Sequence, residues 1–564
     1  MRYRSLPRVR AGRLSNAVSL ALDEIETWPM SNRPTWRSGP KCSVIRLLAA
    51  ALIVSGTPAC SSANDRAAPT EASATEQNSG HILPEKPNVL FILADDMTFD
   101  DVAFMPNLKE LLIDHGTSFS RYYGSVSLCC PARVTTLRGQ YSHNSGVLTN
   151  GGVDGGFRAA FRLGIESDTI ATWLQAGGYR TSLFGKYLNG YPGDQGVEYI
   201  PPGWTNWASS VKGSAYGEYN YTLNENGTLT RYGDAASDYG TDVYARKADD
   251  FIRQAAKDRA PFFTYLSVYA PHAPSTPAPR HLDDYPGLEA PRPESYNEAD
   301  VTDKPEWLQA APLLGAKMQT RTDENYRKRI QSLGAVDDAI ATLVDTLTAT
   351  DQLKNTYIVF SSDNGFHLGE HRLPSGKQTA FETDIHLPLI VRGPGVPEGV
   401  TVDHLVGNTD LAPTFADMAG VSAAPFVDGR SFLPLLRTNP PAVDTWRQAF
   451  LIEHWPLITS EAVGNGSDGL EPTDDDQKGA SADASSTKGN NIPEFHGLRT
   501  GPWTYVEYIT GEHELYDNST DPSQLENIAK SADPVLLAKL SATLALLRSC
   551  VAETCRSIEN KPLG

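Results

Sequence analysis

Two adjacent pairs of oxygen donors, Asp95-Asp96 and Asp363-Asn364, each stand directly after an apolar run. Residues 88–94 read NVLFILA and residues 356–362 read TYIVFSS, the pattern of strands buried in a parallel sheet. Carboxylates that converge repel one another unless a cation lies between them. Donors that are all oxygen, an amide included, suit Ca²⁺ or Mg²⁺ and not zinc. Two further runs end similarly: residues 180–184 lead into Gly185-Lys186, and residues 262–269 into Ala270-Pro271-His272. Ligands of open α/β sheets bind beyond the carboxyl ends of the strands. Two acids, an acid–amide pair, a lysine and a histidine are therefore expected along one edge. The alternative is that each strand merely ends in a polar loop.

Residues 127–139 read SLCCPARVTTLRG. Pro131 suits the first position of a helix and Gly139 its stop. Cys129 is then expected just before a helix N-terminus, where exposed N–H groups favour negative charge. Arg133, four residues on, shares its face. A cysteine so placed is a candidate reactive thiolate. Two adjacent cysteines that are simply buried are the bland alternative.

The elements that must position these residues alternate along the chain. The apolar runs above, with another at 387–391, are separated by helical patterns around 106–114, 167–176, 241–257 and 322–349. That alternation predicts an α/β domain with a large, mostly parallel central sheet flanked by helices. After about residue 440 the texture changes to short strands near 449–454, 496–500, 503–509 and 514–516, then a helix at 534–548. A small C-terminal antiparallel sheet plus helix is expected there.

The chain has 564 residues and a formal net charge of -19. Such an acidic surface argues against nucleic acid as a partner, and it means that any anion site must be a local cluster of bases or metal. Six cysteines fall in three unrelated places, which is no disulfide framework. Cys550 and Cys555 are either a local disulfide in an oxidising compartment or two thiols. Residues 47–54 (LLAAALIV) follow Arg37, Lys41 and Arg46 and precede Gly56-Thr57-Pro58-Ala59-Cys60. This has the layout of an export signal, with Met30 a candidate true start, and is too short to span a bilayer. Cys60 fits a lipidation site and simple secretion alike. The expected organisation is an export region at 1–60, a disordered tether at 61–85, a catalytic domain at 86–440, and a C-terminal subdomain at 441–564. The last contains an acidic, Gly/Ser-rich insert at 459–491.

Together these motifs are identified as those of the sulfatase family. Cys129-Cys130-Pro131-Ala132-Arg133 matches the signature Cys-x-Pro-x-Arg, with Leu137-Arg138-Gly139 behind it. PNVLFILADD (87–96), GKYLN (185–189), Ala270-Pro271-His272, Ser362-Asp363-Asn364-Gly365, LPLIVRGPG (387–395) and ELYDNSTDPSQLEN (514–527) follow in the family's order. Within the family the likeness is to the N-acetylglucosamine-6-sulfatases and the related heparan endosulfatases, carried by the Leu-Cys-Cys-Pro stretch, GKYLN, YNYTL (219–223) and the paired Cys550/Cys555. It covers roughly 86–555, apart from the insert.

The resemblance implies an alkaline-phosphatase-like fold and an exported hydrolase of sulfate esters, such as N-acetylglucosamine-6-sulfate in a glycan. It implies that a formylglycine-generating enzyme oxidises Cys129 to formylglycine (3-oxoalanine). The hydrated aldehyde would act on Ca²⁺ held by Asp95, Asp96, Asp363, Asn364 and residue 129 itself. Arg133 and Lys186 would position the nucleophile; His272 and Lys377 would bind sulfate oxygens, one of them protonating the leaving alcohol. Better-known arylsulfatases carry Trp-His after the lysine, whereas Tyr187-Leu188 follow Lys186 here; Asn189 is the candidate replacement for that histidine. His143, His367 and His371 lie near motifs without being assigned a role. Two other functions fit the same signature: a phosphodiesterase or phosphonate monoester hydrolase, and a catalytically dead glycan-binding lipoprotein.

Overall fold

The computed structural model describes residues 86–456 and 492–562. The expected export region, tether and acidic insert lie outside the described residues.

Eight consecutive residues, Asn88–Asp95, form β1, every one of them buried. Strand β1 is the axis of a ten-stranded sheet. The strands are β2 (Thr117–Phe119), β3 (Arg180–Gly185), β4 (Asn206–Gly213), β5 (Tyr221–Glu225), β6 (Thr228–Arg231), β7 (Phe262–Pro271), β8 (Thr356–Ser362), β9 (Leu389–Arg392) and β10 (Val400–Val402). Their order is β10-β2-β9-β8-β1-β7-β3-β4-β5-β6. The five central strands, β8-β1-β7-β3-β4, are all parallel, so their carboxyl ends share one edge.

Side chains of a strand alternate between faces, and β1 needs apolar partners on both. Val89, Phe91 and Leu93 pack with Val134 of α1 (Cys129–Arg138), Leu174 of α2 (Ile170–Ala176) and Phe415 of α5 (Leu411–Met418). Leu90 and Ile92 pack with Phe251 and Ile252 of α3 (Gly240–Lys257) and Ile340 and Leu343 of α4 (Ala316–Ala349). Helices on both faces explain why β1, β7 and β8 carry almost no alternation.

The structure departs from the sequence expectations in four places. The run at 387–391 forms β9, which pairs antiparallel with β8, because residues 363–388 return as a loop and not as a crossover helix. Helix α4 begins six residues before the expected 322, in a largely exposed polar turn. The segment expected to be helical at 106–114 is one α-turn, Pro106–Leu108, continued by a π-helical turn, Lys109–Ile113. Strands β2, β4, β5, β6 and β10 were not expected at all; β5 and β6 form a hairpin at the sheet edge.

The C-terminal segment forms a four-stranded antiparallel sheet of β11 (Ala449–His454), β12 (Phe495–Thr500), β13 (Trp503–Tyr508) and β14 (His513–Asp517). Leu540, Leu544 and Leu547 of α6 (Pro534–Leu547) close its core. Buried Arg447 joins Asp410 at 2.5 Å to Glu559 of α7 (Glu553–Glu559) at 2.8 Å, which fastens the last helix to the residue ahead of α5. Cys550 and Cys555 form a disulfide, which resolves the alternative left by the sequence.

Candidate active site

The carboxyl ends of β1, β3, β7 and β8 converge, and each delivers one part of a buried cluster. Asp95 closes β1. Asp96 follows with φ +68°, a left-handed turn that Asp tolerates better than most residues. That turn brings Asp96 N–H to Asp363 Oδ1 at 3.1 Å, just past β8. Arg329 of α4 secures it by donating to the Asp96 carbonyl and, at 3.3 Å, to that of Pro271.

Strand β3 ends at Gly185, where φ is +113° and an added Cβ would stand 1.9 Å from the Ser267 carbonyl oxygen. Only glycine fits this approach, and it lets Lys186 N–H donate to the same oxygen at 2.7 Å. The Lys186 side chain then reaches Asp95 Oδ2 at 2.5 Å. Helix α1 starts at Cys129 itself, two residues earlier than expected. Its preceding residue Leu128 is extended, and Pro131 still sits within the first turn, where no N–H is needed. Gly139 ends it in a left-handed cap, as the sequence indicated.

Cys129 Sγ lies 3.5 Å from Asp95 Oδ1, 3.9 Å from Asp96 Oδ1 and 2.7 Å from Lys377 Nζ. Arg133, one turn along, donates through Nε to Asp363 Oδ2 at 2.9 Å and through Nη1 to Ser267 Oγ at 2.6 Å, while Nη2 lies 2.8 Å from Asp363 Oδ2 in an ion pair. His272 Nδ1 faces the Ala273 carbonyl at 2.8 Å, which can only accept; Nδ1 therefore carries a proton and Nε2 is presented to Asp96 Oδ2 at 3.5 Å. Lys377 comes from the loop between β8 and β9 and meets Asp96 Oδ1 at 2.6 Å. That loop is folded on Asp384, which holds the His367 ring and accepts from Thr379. Ser127 Oγ donates to the Thr379 carbonyl and ties the loop to the cysteine segment.

The structure thus brings together Asp95, Asp96, Cys129, Arg133, Lys186, His272, Asp363, Asn364 and Lys377. His143, His367 and His371 are each held by a carboxylate, Glu453, Asp384 and Glu298 respectively. Asn189 lies near the cluster and donates to Tyr216 Oη at 3.4 Å. Three contributors were not foreseen. Ser267 orients Arg133, Arg329 fixes the Asp96 turn, and the Tyr216 ring lies 4.7 Å from that of His272 and 4.9 Å from Lys186 Nζ. No local spacing marks any of them.

Three acids, Asp95, Asp96 and Asp363, share this crevice with Arg133, Lys186 and Lys377. Burial would raise the Asp95 carboxyl, but Lys186, Arg133 and the other nearby bases outweigh it and hold Asp95 well below the usual carboxylate range. Burial works against the charge of Lys186 too, and the Asp95 carboxylate overcomes it, so the ammonium keeps its proton far above the ordinary lysine range.

The buried cluster could hold a metal ion. Asp95, Asp96, Cys129 and His272 each offer a ligand atom, all within 4.8 Å of one another. Buried Asp96 Oδ2 and Asn364 Oδ1 accept no hydrogen bond, although buried acceptors are ordinarily satisfied. Adjacent carboxylate and amide oxygens left over in this way are what an oxygen-seeking cation uses.

A family model described as Sulfatase matches residues 87–421. The N-acetylglucosamine-6-sulfatase of Capra hircus is 36% identical over 491 residues, covering 84% of this chain and 85% of that one. The structure of BT4656 in complex with its substrate D-glucosamine-2-N,6-O-disulfate superposes with a TM-score of 0.64 at 22% identity, covering 84% of this chain and 98% of that one. The phosphonate monoester hydrolase of Silicibacter pomeroyi does so with a TM-score of 0.59 at 23% identity, covering 81% and 93%. At these identities the two structural likenesses speak for the fold alone.

Proposed function

The chain belongs to the sulfatase family, and we propose that its buried crevice hydrolyses a sulfate ester of an amino sugar, such as N-acetylglucosamine-6-sulfate in a glycan. The observation that carries this reading is the meeting of Cys129 with carboxylates from two separate strand ends, ringed by Arg133, Lys186, His272 and Lys377.

Asp95, Asp96, Asp363 and Asn364, with residue 129, would hold the Ca²⁺ of this family. Bound there, beside a formylglycine made from Cys129, the ion supplies charge neutralisation and an acidified oxygen nucleophile. The chain's own residues do the rest. Arg133 locks Asp363 and the first turn of α1 into one orientation. Lys186 holds Asp95 ionised and in place. Lys377 Nζ presents positive charge where sulfate oxygens would lie, next to residue 129. His272, its ring fixed through Nδ1, offers Nε2 to hold and deliver the proton that the leaving alcohol needs. With a dication added to a balanced set of acids and bases, the crevice becomes locally positive inside a chain of net charge -19, and the remaining chemistry is electrostatic preorganisation.

Maturation by a formylglycine-generating enzyme, export, attachment through a lipidated Cys60 and division into a catalytic domain to residue 440 and a C-terminal subdomain complete the proposal. The Cys550–Cys555 disulfide supports an oxidising compartment. Among the described residues no helix is long and apolar enough to cross a membrane. Matched sulfate and phosphate monoesters and diesters, assayed side by side, test the reading. A higher kcat/KM on the sulfate ester is expected. Preference for the phosphodiester or phosphonate, or no turnover of any sulfated sugar by protein carrying the aldehyde, would contradict it.

A further inference from the structure

Glu166 is a buried carboxyl with no cation beside it. It is 4% exposed, in the short turn Ile165–Ser167, and among the described residues no lysine, arginine or histidine stands within ion-pairing distance of it. Both of its oxygens are taken by tyrosines: Oε1 accepts from Tyr187 Oη at 2.9 Å and Oε2 from Tyr199 Oη at 3.1 Å. Burial pushes the carboxyl up to about 7, and the two phenols work in the opposite direction. The other ionisable groups on this side are Tyr191 and, across Tyr187, Cys130. An ionised carboxylate is costly to bury without a cation, and an amide of the same shape could meet both hydroxyls without that cost. Stability alone therefore does not call for a glutamate here.

The two phenols stand at opposite ends of one stretch of chain. Tyr187 directly follows Lys186, which is held at Asp95, and Tyr199 closes the loop that begins there. Between them, Tyr191 Oη donates to the Tyr199 carbonyl and accepts from Trp207 Nε1 at 3.0 Å. The Tyr187 ring packs edge-on against those of Tyr191 and Trp207, with centroids 5.5 and 5.1 Å apart. The Asn189 carbonyl accepts from Phe157 N–H at 2.7 Å. Arg138, the last residue of α1, donates to the carbonyls of Ile165 and Asp168 at 3.2 and 2.8 Å. The turn that bears Glu166 is thus fastened to the helix that starts at Cys129. One carboxyl spans two elements, the helix of the nucleophile and the loop that carries Lys186 and Asn189.

We propose that Glu166 is a positioning residue of the hydrolytic centre, which holds Lys186 and Asn189 in register with residue 129 through Tyr187 and Tyr199. The inference rests on the sulfate-ester reading above and adds a control that none of the groups in the crevice supplies. Glu166 itself bonds only to the two tyrosines. Its ionised form accepts their protons in charge-assisted hydrogen bonds, about twice as strong as neutral ones, so the loop is held most firmly above neutral pH. The effect on stability has the opposite sign: the raised carboxyl contributes fully below about pH 4.5, and that contribution is lost as pH rises through 7. Positioning and stability therefore move in opposite directions with pH.

The test measures kcat and KM on N-acetylglucosamine-6-sulfate between about pH 5 and 9 for wild type, Glu166→Gln and Tyr187→Phe, at equal aldehyde content by peptide mass. Wild-type kcat is expected to rise through a limb near pH 7. In Glu166→Gln the limb is gone, and kcat above it falls on the order of tenfold with KM within about twofold, while Tm at that pH does not fall. Tyr187→Phe gives a similar loss of kcat, and the double variant falls no further than the worse single one, because both remove one contact. A limb that persists in Glu166→Gln, unaltered kcat in both single variants, or activity that falls only with the folded fraction overturns the assignment, even where wild type hydrolyses sulfate esters. Amide hydrogen exchange gives a readout independent of turnover. At pH above the limb, Glu166→Gln should speed exchange over residues 186–191 and leave β1 and β7 unaltered. That pattern in a protein without sulfatase activity upholds the positioning role while sinking the hydrolytic reading; equal exchange in the two proteins overturns the role.

Discussion

Replacing Arg133 with methionine isolates the charge that balances the buried acids. The guanidinium is 1% exposed; it makes two contacts to Asp363 Oδ2, one to Ser267 Oγ, and stands 3.6 Å from Asp95 Oδ1. Methionine fills similar space and leaves Asp363 without its cation. Removing one partner of a buried pair costs about 3–5 kcal/mol. For the roughly 440 described residues, unfolding entropy near 2.1 cal/mol/K per residue gives about 0.9 kcal/mol/K. Arg133→Met is therefore expected to lower Tm by about 3–6 °C, measured calorimetrically in excess Ca²⁺ and again in chelator. The loss should be larger in chelator, where the acids have lost both sources of positive charge. Asp363→Asn added to Arg133→Met should recover a large part of the loss, because the stranded charge is removed with its partner. A Tm within 1 °C of wild type for Arg133→Met, or a double variant that simply sums the two single losses, would refute the claim that these groups balance one another.

Three further outcomes follow from particular contacts. Gly185→Ala places a methyl group 1.9 Å from the Ser267 carbonyl at φ +113°; the backbone cost is on the order of 1–3 kcal/mol before the clash, and displacement of Lys186 should lower kcat on the order of 10²-fold, so unaltered kcat in folded protein would contradict the role given to that glycine. Burial pushes Glu218 up to about 8 against the donors of Thr241, from an ordinary value of 4.5; the folded state holds this proton more tightly, so its contribution to stability is full below about pH 4.5 and is lost as pH rises towards 8. Glu218→Gln should accordingly flatten the fall of Tm across that window, and identical slopes in the two proteins would contradict it. Cys550→Ser with Cys555→Ser opens a short loop, which at about 2 kcal/mol of chain entropy should lower Tm by about 2 °C; a drop several times larger would mean that His143 and Asn144, which donate to the Cys550 carbonyl, depend on the bridge as well.

The main strands were legible because burial on both faces demands unbroken apolar runs, as at Asn88–Asp95 and Phe262–Pro271. Their polar successors were legible because a parallel sheet sends every carboxyl end to one edge. Strands β4 to β6 escaped notice because the outer hairpin is exposed and alternates polar residues, Thr228–Arg231 most of all. The direction of β9 depends on how residues 363–388 return, which composition does not encode. The start of α1 was placed late because Pro131 is acceptable anywhere in a first turn. Arg329 is 233 residues from Asp96, and Tyr216 is well removed from Cys129 in a stretch with no chemical spacing, so tertiary structure alone brings them to the site.

The mass of the tryptic peptide that contains residue 129, taken from protein of measured specific activity, bears most directly on the hydrolytic chemistry. An aldehyde in place of the thiol, in a fraction that rises and falls with activity, is the expected result. Full sulfatase activity in protein whose Cys129 is entirely the unmodified thiol would contradict it.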